Sequence, residues 1–498
     1  KNQGGDKITT GKNGGVFRKA MTAVLCCLLA ATAAAAVSWS GAATVTDSGT
    51  YTGTYASTTA DQNAVLINGS YAPTFTGITL TKSGSSSGGD DCNFYGINSG
   101  LLAKSGATPV ITGGTFTTSA TGANGVFSYG GGSGDGTKVT ISNAAITTSG
   151  GNSGGIMTTG GGITKATSLT VTTSGASSAA IRTDRGGGTV TVSKGTYKAT
   201  GAGSPAIYCT ASIDVSDATL TAVDSEAVVI EGKNSVSLTD CVVNGDMEER
   251  SGQNYSYQGI FLYQSGSGDA DSGTSSFAMS GGSLTLAFKN ESGYKRSAFH
   301  ITNTTAKVSL TSVDIEADDK DYLIQCDGNS AGWGTAGSNG GTCAFTAASQ
   351  DLSGDIMVDT ISALALTLKN GSVWTGKSTI ATNSVNTSPT TAPFTLTVAS
   401  GCKWVVTGDS SVSSLSYDGS VVDASGNLVT IASGDGTVLR QGTSSYTVTV
   451  GSASAGSTTT SDDTSSSSED SSSGGGCNAG FAGLLLLSML PAAFRGKK

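Results

Sequence analysis

A small residue followed by one or two large apolar ones recurs along the middle of this chain, and that recurrence limits the fold more than any other feature. It appears at Ala64-Val65-Leu66, Gly100-Leu101-Leu102, Gly125-Val126-Phe127, Gly155-Ile156-Met157, Ala180-Ile181, Ala206-Ile207-Tyr208, Ala227-Val228-Val229, Gly259-Ile260-Phe261 and Ala298-Phe299. Gly100 to Gly125 and Gly155 to Ala180 are steps of 25 residues, Ala180 to Ala206 is 26, and Ala206 to Ala227 is 21. The longer steps read as coils that carry loop insertions. Leu80, Phe116, Val171, Tyr197 and Val243 follow the small residues Ala64, Gly100, Gly155, Ala180 and Ala227 by 16 or 17 positions. A fixed offset inside a variable period is the mark of stacked structural units.

The units are strands. Alternation such as Val139-Thr140-Ile141, Leu169-Thr170-Val171 and Val190-Thr191-Val192 has period two, and no long stretch has the period of a helix. With 73 glycines, six prolines and only 13% charged residues, the spacing predicts an all-β parallel β-helix. Each rung carries about three short strands, alternate side chains fill a narrow apolar interior, and Gly, Asn or Asp turn the corners. Ten to fifteen rungs at about 4.8 Å would make a rod of roughly 50 to 70 Å. Residues 37–350 are assigned to the helix proper. Residues 351–450, with Leu364-Ala365-Leu366-Thr367-Leu368 and the strands around Trp404 and Val448, are assigned to its last coils and cap. Residues 451–476 form a Ser/Thr/Asp tract with too few apolar side chains to fold, expected to act as a flexible tether. An array of β-sandwiches would instead show periods of domain size, and none is present.

Both ends read as addresses. Lys12, Arg18 and Lys19 precede the apolar residues 21–36, which end on Ala34-Ala35-Ala36; this is the pattern of a secretory signal helix, so residues 1–36 are expected to be removed on export. Cys26 and Cys27 lack the small residue a lipobox needs, since Leu25 stands there. Because the basic residues lie upstream of Met21 and the chain opens on Lys1, the true start is expected to lie earlier. At the other end, Gly474, Gly475, Gly476, Cys477, Asn478, Ala479 and Gly480 precede an apolar run to Phe494, then Arg495, Lys497 and Lys498. A helix over residues 479–494 would extend about 24 Å, short of the roughly 30 Å hydrocarbon core.

Residues 477–498 resemble the C-terminal sorting tails of bacterial surface proteins, specifically the Synergistes-type relative (Synerg-CTERM) of the GlyGly-CTERM signals. The resemblance implies a hydrophobic sorting helix that enters the membrane transiently, cleavage by a rhomboid-like sorting protease near the glycines, and retention of Cys477 with lipid modification as an open question. A plain C-terminal anchor is the alternative. In repeat style the body resembles the right-handed β-helix adhesins of bacterial envelopes, which implies a right-handed coil displayed at the cell surface.

Six cysteines remain between the two addresses: Cys92, Cys209, Cys241, Cys326, Cys343 and Cys402. An even number in an exported chain can pair. Cys326 with Cys343, bracketing a Gly/Asn/Ser-rich loop around Trp333, and Cys209 with Cys241, across neighbouring rungs, are the candidate disulfides; buried free thiols are the alternative for each. No Cys-x-x-Cys pair suggests zinc or redox chemistry, and neither a cofactor nor a metal is expected.

Chemistry is sparsely encoded. His300 is the sole histidine, so a Ser-His-Asp triad must include it, yet no Gly-x-Ser-x-Gly elbow accompanies it. The charged clusters Arg182/Asp184/Arg185, Glu248/Glu249, Asp269/Asp271 and Asp318/Asp319/Asp321 match no catalytic or calcium-loop pattern and read as solvated turns. Phe94, Tyr95, Tyr255, Tyr257, Phe261, Tyr263 and Trp333 lie near insertions, where they either stack on sugar rings or pack corners. Threonines flank inward apolar residues at Thr79/Thr81, Thr115/Thr117, Thr170/Thr172 and Thr219/Thr221, so stacked rungs would align them into ladders resembling those of ice-binding solenoids.

A net charge of −9 argues against nucleic acid as a partner. The expected function is therefore structural or adhesive, without catalysis, at the outer surface, with a glycan or host surface as ligand bound along the rod and at inserted loops 244–258 and 264–276. A polysaccharide lyase or glycoside hydrolase is the alternative, an ice- or mineral-binding solenoid a lesser one.

Overall fold

The computed structural model describes residues 37–250 and 255–451; the expected signal segment and sorting tail, and the expected tether beyond its first residue, lie outside these. The described chain is all-β. Its strands stack into a 13-stranded sheet and a 22-stranded sheet, both parallel throughout, with two four-stranded sheets towards the C-terminus. The first sheet (sheet 1) runs from Gly41–Val45 through Asn63–Asn68, Leu101–Lys104, Val126–Tyr129 and so on to Ser378–Ala381. Its thirteen strands define thirteen rungs, hence a solenoid about 58 Å long at 4.8 Å per rung.

Register explains the repeat. Val65, Leu101, Val126, Ile156, Ile181, Ile207, Val228, Ile260 and Phe299 are successive partners along sheet 1, and all are buried in one continuous interior. The small residue before each must be small because its Cβ points at the opposite wall. A Cβ on Gly155 would lie 2.3 Å from Val171 Cγ1, one on Gly259 2.3 Å from Leu286 Cδ1, and one on Gly125 2.5 Å from Ile146 Cγ2. At Gly155 the residue 16 positions on, Val171, fills the space that the small one vacates; at Gly125 and Gly259 the filling residues are Ile146 and Leu286, 21 and 27 positions on.

Successive side chains of a strand face opposite ways, so the second apolar residue of each unit faces outward. Leu66, Leu102, Phe127 and Met157 form a cluster separate from the interior, as do Val229, Phe261 and Trp333. Inserted segments cover both. Trp39 packs on the first cluster and donates its indole N–H to the Tyr95 carbonyl at 2.9 Å, while residues 83–100, with the short helix Asp91–Phe94, lie over it. Residues 327–341 carry Trp333 onto the second.

At one corner, hydroxyls close several of the early rungs. Ser57, Lys82, Thr118 and Thr148 are register partners. Thr118 Oγ1 donates to the Ala123 carbonyl at 2.5 Å and Thr148 Oγ1 to the Ser153 carbonyl at 2.7 Å. In the rung where the 83–100 insertion lengthens the corner, the fully buried Lys82 takes the hydroxyl's place. Its Nζ donates to the carbonyls of Thr59, at 2.9 Å, and Gly84. Burial lowers its pKa to about 8, against a smaller opposing pull from Asp61.

The expected disulfides are not formed. All six cysteines are buried free thiols. Cys209 lies on sheet 1 and gives its Sγ to the Ala211 and Ser235 carbonyls, whereas Cys241 starts a corner of the second sheet and gives its Sγ to Val215 and Thr239. Cys326 Sγ donates to the Gly341 carbonyl at 3.3 Å. The restraint assigned to a Cys326–Cys343 bridge comes instead from amides: Asn329 and Asn339 both donate to the Trp333 carbonyl, at 3.0 and 2.8 Å. Burial pushes Cys209 and Cys343 up to about 12, which keeps them protonated and poor nucleophiles.

Candidate functional site

Corner length decides where the rod has relief. Between sheet 1 and the second sheet, the fourth rung inserts residues 130–137, the ninth residues 264–273 and the eleventh residues 327–341. Rungs five to eight turn this corner in a few residues each. The result is a recess of about 560 Å³ floored by residues 185–188, 210–212 and 233–235, with Gly132 on one side and Gly268, Asp269, Ala270 and Asp271 on the other. The two walls spring from rungs five spacings, or about 24 Å, apart and lean inward, so that Gly132 approaches Gly186 and Asp269 reaches Arg185. Glycine makes the floor flat: at Gly186 and Gly187 φ is +81° and +56°, and a Cβ on Gly187 would meet the Thr210 carbonyl oxygen at 2.8 Å. On the far side of loop 264–273 a second cleft of about 400 Å³ is lined by Gln264, Ser272, Asn303, Thr304, Thr305 and Thr342. The inserted loop is therefore a partition between two polar clefts. It is shorter at its C-terminal end than the sequence indicated, because the strand Thr274–Ser280 begins before residue 276, and the other expected loop starts only after the strand Val242–Met247.

Two charged clusters that are distant in sequence meet here. Arg185 Nη2 and Nε donate to Asp269 Oδ1 at 2.8 and 3.2 Å, and Lys233 Nζ lies 2.8 Å from Asp271 Oδ2. The Arg185 guanidinium also sits 4.0 Å over the ring of Phe94. Neither pair could be read from the sequence, since 84 residues separate Arg185 from Asp269 and only the rung count sets them side by side. Beneath the loop, Glu231 is 1% exposed. It accepts from Tyr208 Oη at 2.6 Å, Tyr263 Oη at 3.2 Å and the Ser265 hydroxyl. Burial first, and neighbouring charge second, raise both phenols well above 10.

Asp184 departs from the reading as a solvated turn. It is buried beside Arg182, with Nη2 to Oδ2 at 3.1 Å, and burial raises its carboxyl above the ordinary value despite that partner. Glu248, Glu249, Asp318, Asp319 and Asp321 lie away from the recess, and Asp321 pairs with Arg296 at 2.7 Å.

His300 is fully buried among side chains that face outward from sheet 1. Its Nε2 lies 2.7 Å from Tyr255 Oη and 3.0 Å from Asp327 Oδ1, and its Nδ1 is 3.2 Å from Ser256 Oγ. Serine, histidine and aspartate are thus adjacent, but Ser256 is 1% exposed and gives its hydroxyl to Gln258 Oε1 at 2.7 Å. A nucleophile so enclosed has no face for a substrate. Burial works against the Asp327 carboxylate, yet hydrogen bonds and charge from His300, with Lys295 and Gln325, hold its pKa below the ordinary value. The aromatic residues pack rather than project: Phe261 and Tyr263 stack at 4.5 Å, and Trp333 tilts against both.

The threonine ladders form. Thr79, Thr115, Ala145, Thr170, Thr196 and Thr219 make one file, and Thr81, Thr117, Thr147, Thr172, Lys198 and Thr221 the other. Ala145 and Lys198 each break a file. Among the described residues no group of three or more His, Cys, Asp or Glu side chains is placed to hold a metal ion. No protein-family model matches this chain, and no curated protein matches it.

Proposed function

We propose that the chain is an exported, surface-displayed solenoid that binds glycans in the recess beside loop 264–273, as a structural or adhesive protein rather than a catalyst. The observation that carries this reading is the recess itself. Its floor is flat and polar, its walls are built by corner insertions, and its hydroxyls, amides and charged groups suit a polymer rich in hydroxyls. A right-handed coil fits the strong preference of parallel crossover connections. Export, processing by a sorting protease and transient membrane insertion of the tail belong to the same proposal and rest on the residues of the two ends.

A second reading, carbohydrate cleavage, has one observation in its favour: Asp184, Glu231, Asp327 and Asp359 are all buried along the outer side of sheet 1, where paired carboxylates could act as acid and base. The two readings part in one experiment. The purified protein is screened on a glycan and host-matrix array while the same polysaccharides are assayed for new reducing or unsaturated ends. Binding without new ends supports the adhesive reading; new ends that vanish in Asp184→Asn or Glu231→Gln overturn it.

A further inference from the structure

We infer that the recess is an anion-binding subsite occupied by its own loop: Arg185 and Lys233 receive the acidic groups of a polyanionic glycan, and Asp269 and Asp271 stand in for those groups until the glycan displaces them. This rests on the glycan-binding reading above and names the class of glycan. The cations belong to the floor, at the short corners of the sixth and eighth rungs, whereas the anions ride on the inserted loop. Arg185 is held in plane by the ring of Phe94 and turns two donors towards one carboxylate oxygen, the arrangement that a uronate carboxylate or a sulfate ester would also meet.

The loop is built to give way. Gly266 and Gly268 have φ of +80° and +89° with open space around them. The Lys233–Asp271 pair is 58% and 80% exposed, and pairs of that kind contribute little. Its base stays fixed, because Glu231 holds Ser265 and Lys233 N donates to the Asp271 carbonyl at 2.9 Å. A tip that swings on this base carries Asp269 off Arg185, and the exposed Asp271 side chain turns off Lys233 by rotation alone, so the recess stays walled while two cations are freed. The chain's net charge of −9 does not forbid an acidic ligand, since charges further than about 8 Å are largely screened at physiological ionic strength.

The test titrates the full chain by calorimetry with oligogalacturonate, a sulfated galactan and neutral dextran, using wild type, D269N/D271N and R185Q/K233Q, with circular dichroism to verify the fold of each. Removing the internal anions should tighten acidic-glycan binding up to about fivefold per pair, and R185Q/K233Q should weaken it at least about tenfold. Dextran should respond to neither. Preference between the uronate and the sulfated polymer identifies the acidic group. Weaker acidic binding in D269N/D271N, or equal gains for dextran, overturns the subsite by making the carboxylates direct sugar contacts. Dextran binding alone, unmoved by R185Q/K233Q, sinks the subsite but keeps the recess; no binding of any polymer by any variant sinks the recess reading itself.

Discussion

Replacing Gly155 with alanine should destabilise the rod even though alanine is ordinarily the better residue in the unfolded-state balance. The new Cβ would stand 2.3 Å from Val171 Cγ1 and 2.6 Å from the Ala180 carbonyl oxygen, short of ordinary contact by about 1.1 and 0.8 Å. Val171 is wholly buried and the Ala180 oxygen is backbone that accepts from Ile156 N at 3.1 Å, so neither can move far. Overpacking of this kind costs about 1–3 kcal/mol, against a gain of about 0.4–1 kcal/mol from the lost flexibility of glycine. A net loss of about 1–2 kcal/mol is expected, read as a lower urea midpoint at unchanged slope. Val171→Ala removes one of the two clashes but leaves the carbonyl. The double variant should therefore be about 1 kcal/mol more stable than the two single losses predict together. A neutral or stabilised Gly155→Ala would refute the claim that the small residue of each unit makes room for the opposite wall.

Other expectations follow from particular groups. Tyr197 is fully buried and its hydroxyl has no hydrogen-bond partner, so Tyr197→Phe should be neutral or stabilise by about 1 kcal/mol in thermal unfolding; a clear loss would mean the hydroxyl is satisfied. Lys82 binds its proton less tightly when folded, at about 8, than in the unfolded chain near 10.5. The unfolded state thus holds more protons between those values, and stability relative to Lys82→Met should rise from pH 8 to 10.5, by about 3 kcal/mol at most; a flat difference would contradict the lowered pKa. Native protein should leave Cys209, Cys326 and Cys343 unreactive to a thiol reagent until denatured, and non-reducing peptide mapping should find no Cys326–Cys343 bridge.

Much of the scaffold was legible because a parallel solenoid writes its period into the chain. Ile156 and Ile181 are 25 residues apart because they are one coil apart, and Gly155 with Val171 encoded the width of the interior. The outward apolar residues were legible as apolar but not as outward: Leu102 and Phe127 look like core, and only the cover of residues 83–100 explains why both members of the pair are large. The recess was harder to read. Loop 264–276 stood out as an insertion, yet its meeting with Arg185 and Lys233 depends on which corners are short and how many rungs intervene, and no local pattern records that count. The burial of Asp184 was hidden for the same reason, since its cover comes from neighbouring rungs. The cysteine pairings failed on sheet assignment: Cys209 and Cys241 are near in rung number but lie on different walls.

The recess beside loop 264–273 is proposed to bind glycan without cleaving it. The most direct measurement is equilibrium binding of the purified protein to the best array ligand, with product analysis of the same mixture, for wild type and for a variant in which Ser212, an exposed strand residue of the floor, is replaced by tryptophan to fill the recess. Expected are saturable binding by wild type, loss of at least about tenfold in Ser212→Trp with an unchanged circular dichroism spectrum, and recovery of the ligand intact. Undiminished binding in Ser212→Trp, or recovery of the ligand cleaved, would contradict the proposal.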